Sequence, residues 1–237
     1  MKLKRRESIT ILPFIILGII LYYSFSFAGV SGSDHDFTIT GSSASFSGKF
    51  TNDNDEPCVY CHTPHGSAGL QMPLWNRSLN FPNGFTVYSS SSMDSLSANP
   101  PSTISLLCLS CHDGIGAINS VLNSPGPGSA GIGASGADQI GDLGAPALYV
   151  NIGEGNPGAP GPVDLSNDHP VSITWANKGA GFHATPQDVR LKLYNNQTVE
   201  CSTCHNPHNG TPFELGGLQF LTMSNNGSAM CLACHIK

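Results

Sequence analysis

The chain has 237 residues, of which only 11% are charged, and its formal charge is −6 at pH 7. An acidic chain so poor in Lys and Arg is a bad fit to nucleic acid, whose phosphates reward positive charge. With 27 Gly and 17 Pro it is rich in residues that break helices and strands, which excludes long bundles and large sheets.

The first predicted element is an export segment over residues 1–28. Lys2, Lys4, Arg5 and Arg6 precede an apolar stretch from Ile9 to Phe27, and Ser26-Phe27-Ala28 puts small residues where a signal peptidase reads. Cleavage before Gly29 is the expectation. The alternative is an uncleaved membrane anchor, since the stretch is almost long enough to span. Removing residues 1–28 takes away those four basic residues and Glu7, and deepens the formal charge from −6 to −9. Such a surface attracts a basic partner or a metal cation.

A first unit is expected over residues 29–118. It opens with His35, flanked by Asp34 and Asp36, whose carboxylates are placed to orient the imidazole. Cys58-Val59-Tyr60-Cys61-His62 follows, then Thr63-Pro64-His65. Leu74-Trp75-Asn76-Arg77 offers a ring and a cation for a planar cofactor, although ordinary packing and a surface charge explain them nearly as well. Ser89 to Ser92 reads as a surface loop. Cys108-Leu109-Ser110-Cys111-His112 repeats the first pentad.

Residues 119–162 are dense in Gly, Ala, Ser and Pro, and read either as a flexible linker or as an irregular wrap. A second unit is expected over residues 163–237. It holds Asn167-Asp168-His169-Pro170-Val171, then His183. Cys201-Ser202-Thr203-Cys204-His205 comes next, with Asn206-Pro207-His208 behind it. Cys231-Leu232-Ala233-Cys234-His235 closes the unit. The first members of the two pairs continue alike, and so do the second members, so a two-pentad unit is repeated.

The pentad has a chemical reason. Two thiols three residues apart reach the two vinyl groups of one haem, and the next His sits under the iron. Four such pentads use all eight cysteines, so the chain reads as a tetrahaem c-type cytochrome. Dithiol redox pairs, structural zinc and a disulfide scaffold each leave the trailing histidines unexplained. The expected fold is mostly irregular, with short α-helices at the attachment segments, organised around four covalent haems in place of a side-chain core.

The cofactor-binding residues are then Cys58, Cys61, Cys108, Cys111, Cys201, Cys204, Cys231 and Cys234, with His62, His112, His205 and His235 as proximal iron ligands. Four more ligands are needed, and five histidines remain. His65 and His208 each follow a proximal His by three residues, too close to reach the other face of the same haem. Each must serve a different one, here read as the haem on Cys108/Cys111 for His65 and that on Cys231/Cys234 for His208. His169 and His35 fill the other two places. His183 is the spare, free to exchange roles with His35. No catalytic residue is assigned, because this histidine supply closes every iron. Electron transfer is therefore the expected function. The alternative is a multihaem reductase with one open iron acting on a small oxyanion.

The ordered set Cys-x-x-Cys-His-Thr-Pro-His, Leu-Trp-Asn-Arg, Cys-Leu-Ser-Cys-His-Asp-Gly, Asp-His-Pro-Val and Cys-x-x-Cys-His-Asn-Pro-His resembles the doubled-CXXCH family of multihaem cytochromes, a cytochrome c3-like group. The resemblance implies bis-histidine electron carriers of anaerobic respiration, in the periplasm or outside the cell. It implies redox partners such as other multihaem cytochromes or a reductase. Some tetrahaem relatives form filaments in which a neighbouring subunit supplies one axial His. By that analogy His35 would be the residue to cross over.

Overall fold

Regular structure is short and is placed around the cysteine pentads. The computed structural model describes residues 29–38, 56–69, 74–113, 121–123, 152, 161–175, 179–195, 197–210 and 220–237. Residues 1–28, read above as an export segment, lie outside the described residues, as does most of the Gly-rich stretch. Within the described residues no helix is long and apolar enough to cross a membrane.

Among the described residues there are three α-helices: α1 over Thr103–His112, α2 over Cys201–Cys204 and α3 over Ala229–Leu232. A 3-10 turn covers Pro57–Tyr60, with Pro57 in its first turn, where the missing N–H costs nothing. A second 3-10 turn, Asn226–Ser228, leads into α3. The strands are β1 (Phe85–Val87), β2 (Val163–Leu165), β3 (Ile173–Thr174) and β4 (Thr198–Val199).

β1 and β2 run parallel, with Phe85 opposite Val163 and Val87 opposite Leu165. Parallel partners need a long crossover. Here the connection contains α1, whose Leu109 packs on Phe85, Val163 and Leu165. Burying each of these side chains contributes about 1.5–3 kcal/mol. This small apolar cluster holds the second pentad, because Leu109 is itself the residue between Cys108 and Ser110.

β3 and β4 are antiparallel, Ile173 opposite Val199, and β4 runs directly into the third pentad. A second cluster, Leu191, Met223, Met230 and Ala233, packs with Cys204, Leu221 and Cys234 and supports the third and fourth pentads. Helices α1 and α2 pack against each other and join the two regions.

Much of the remaining cohesion is polar. Asn76 is fully buried and uses its whole amide. Its Nδ2 donates to the carbonyls of Val59 (2.7 Å) and Asn123 (2.9 Å), and its Oδ1 accepts the Asn123 N–H (2.9 Å). Its own N–H donates to the Cys61 carbonyl (2.8 Å). Of the connecting segment, residues 121–123 are thus tied to the first pentad, and the Ile152 N–H donates to the His112 carbonyl (3.1 Å).

The arm at 29–38 is held at both ends. The Gly29 N–H donates to the His208 carbonyl, and the Gly210 N–H to the Gly29 carbonyl, each at 3.1 Å. A Cβ on Gly210 would collide with Ser33 and Phe220, so the close approach requires glycine there. Tyr60 Oη donates to the Phe37 carbonyl (2.9 Å), and the two rings meet edge to face at 5.3 Å.

Candidate functional site

Each pentad lies on a helical turn. In the first, third and fourth, the histidine N–H donates to the carbonyl of the first cysteine, at 2.8, 3.0 and 2.8 Å. The second lies wholly within α1. One helical turn brings positions three apart to the same face, which is how two thiols come to address one edge of a flat group.

None of the eight thiols is in a disulfide. Burial pushes the Cys61 thiol up to about 12 and the Cys204 thiol up to about 11. At both, burial in an apolar surrounding disfavours the thiolate. Among the described residues no three His, Cys, Asp or Glu side chains gather as a zinc site would require.

The thiols of successive pentads are neighbours. Cys61 and Cys111 interact through space, as do Cys204 and Cys234. Cys108 and Cys201 share a hydrogen bond, which with burial holds the Cys108 thiol well above its usual value. The pentads therefore follow one another in space in the order of the chain.

The histidines come together in pairs. His62 faces His208 with ring centroids 6.1 Å apart and planes 20° from parallel. His112 faces His35 at 6.1 Å and 71°, and His235 faces His169 at 6.4 Å and 81°. Each pair joins a proximal histidine to one of the expected distal ones. His208 thus stands against the first pentad, not against the fourth, whose His235 is faced by His169. Likewise, the ring opposite His112 is His35, not His65. Two residues three apart on an extended strap are carried to whichever pentad packs alongside, and that is a tertiary matter. His65 and His205 are exposed and enter no such pair among the described residues. The half-buried His183 gives its N–H to the Cys234 carbonyl (3.0 Å).

Carbonyls orient two of these rings where carboxylates were expected. The His35 ring hydrogen-bonds the Pro207 carbonyl, and His169 Nδ1 lies 3.0 Å from the Pro170 carbonyl. A ring N–H spent in this way fixes the tautomer and leaves the other nitrogen bare for a metal. Asp36 instead ties its own turn, accepting the Gly32 N–H (2.7 Å) and the Thr38 hydroxyl (2.6 Å). Burial lowers His35 from 6.5 to about 4, so it is neutral at pH 7, as a metal ligand must be.

Comparison with known proteins adds one finding. A family model described as the doubled CXXCH motif matches residues 195–237, the third and fourth pentads. The relationship is to multihaem c-type cytochromes. The Cys-x-x-Cys-His segments accordingly indicate covalent haem c. No curated protein matches the chain.

The residues present fit that group. A centroid separation near 6 Å leaves room for one metal atom bonded to a nitrogen of each ring at about 2 Å. Trp75 meets the His62 ring edge-on at 5.8 Å, and its buried Nε1 has no hydrogen-bond partner among the described residues. It is a donor available to an acidic edge of the cofactor. Arg77 was read as a surface charge or a propionate partner. It is buried, its Nε and Nη2 each donating to the Ser110 carbonyl at 3.2 Å beside Cys111.

Sequence reasoning singled out neither Asn76 nor Glu200 as an organiser. Asn76 carried one signal, its place between Trp75 and Arg77. Glu200 carried none beyond preceding Cys201.

Proposed function

We propose that the chain is an exported tetrahaem c-type cytochrome that relays electrons through four bis-histidine haems. The pairing of proximal and expected distal imidazoles at 6.1–6.4 Å carries this reading. Bound haem supplies the one-electron chemistry. The chain's own part is to hold each group by two thioethers, offer an imidazole on both sides of the iron, and keep successive attachment segments in contact. Thiol neighbours at Cys61/Cys111, Cys108/Cys201 and Cys204/Cys234 support a linear order.

The fourth ligand pair is His205 with His65. His208, three residues after His205, reaches across to His62. In this reading the equivalent strap, His62-Thr63-Pro64-His65, reaches back to His205. Such reciprocal straps lock two attachment segments side by side. The acidic surface suits a basic or multihaem redox partner, met in the periplasm or at the cell exterior.

Mass spectrometry and low-temperature paramagnetic resonance of the purified holoprotein test the reading. Four haems per chain, all low-spin, are expected. A high-spin haem that binds carbon monoxide or nitrite would overturn the closed relay and favour a reductase centred on His205, the proximal ligand with no facing ring among the described residues.

A further inference from the structure

Glu200 is only 1% exposed, yet among the described residues nothing of opposite charge is hydrogen-bonded to it. Its Oε2 lies 2.6 Å from Ser105 Oγ of α1 and 2.8 Å from Ser172 Oγ. Each of those hydroxyls already accepts a backbone N–H, Ser105 from Cys201 (3.3 Å) and Ser172 from Ser102 (2.8 Å). Their own protons are therefore directed at the carboxylate. The Thr203 backbone N–H also donates to this side chain, while Oε1 has no partner among the described residues. Every partner of Glu200's side chain is thus a donor, the setting that suits a carboxylate, buried where α1 meets α2.

Its position is between two attachment sites. Glu200 immediately precedes Cys201, and Ser105, which it binds, lies one helical turn before Cys108. The Cys108 and Cys201 thiols are themselves in contact. A fixed negative charge in a medium of low dielectric favours the oxidised, more positive state of a nearby redox centre.

We infer that Glu200 is the buried charge that holds the haems on Cys108/Cys111 and Cys201/Cys204 at lower reduction potential than the two outer ones. The molecule then fills with electrons from its ends, and the central pair is the step a transiting electron must climb. This inference rests on the tetrahaem reading.

The test is a potentiometric titration of the holoprotein, with haems resolved by magnetic resonance, on Glu200→Gln and Ser105→Ala. Gln keeps the shape and an oxygen for both hydroxyls but removes the charge. Two central potentials are expected to rise, with the outer two moving less. Ser105→Ala keeps the charge and removes one donor that disperses it, so the same two potentials are expected to fall. Four haems with unchanged potentials in Glu200→Gln would overturn the inference and leave the relay intact. An unchanged or upward shift in Ser105→Ala would overturn it also, and this variant decides the matter should Glu200→Gln not be recovered. Fewer than four haems in the wild-type protein would instead sink the tetrahaem reading.

Discussion

His208 shows how much rests on single side chains. Replacing it with Ala removes the ring that faces His62 at 6.1 Å. The holoprotein should then show one high-spin haem in its paramagnetic resonance spectrum, while His183→Ala leaves every haem low-spin. If His208→Ala remains fully low-spin, the pairing with His62 is wrong. Asn76 acts at the same scale through hydrogen bonds. Asn76→Ala strands buried groups of Val59 and Asn123, each at about 1–3 kcal/mol. Denaturant unfolding of the holoprotein should show a loss of about 3 kcal/mol, with the haem count unchanged. Both roles were only partly legible. A spare histidine three residues after a pentad advertises a distal ligand, but which iron it serves depends on a segment far away in the chain.

Among the elements, the arm at 29–38 and helix α1 behave differently. The arm carries His35 and is latched by Gly29 and Gly210. Gly210→Ala should push it off Ser33 and Phe220, and one haem should become high-spin through loss of His35, visible in the optical spectrum. Helix α1 rests on its apolar contacts instead. Leu109→Ala should cost about 2–5 kcal/mol by the same unfolding assay. The crossover role of α1 between β1 and β2 was not legible, since Phe85 and Val163 meet only in the folded chain.

At the scale of the whole molecule, two apolar clusters and a set of satisfied loop hydrogen bonds hold the described residues together. Clusters of four residues each bury little, so the chain made without haem attachment is expected to lack cooperative unfolding. Circular dichroism melts of the apo chain beside the holoprotein check this, and a sharp apo transition would refute it. By itself the sequence determined where haem is attached. A thioether pair and its proximal histidine lie within five residues, and one helical turn suffices to aim them. It also showed that five histidines lie outside the pentads. The tertiary structure alone decided that His62 meets His208, His112 meets His35 and His235 meets His169, and that Glu200 is sealed between Ser105 and Ser172. Facing rings and buried charges are contacts between distant segments, and no local spacing encodes which segments will pack together.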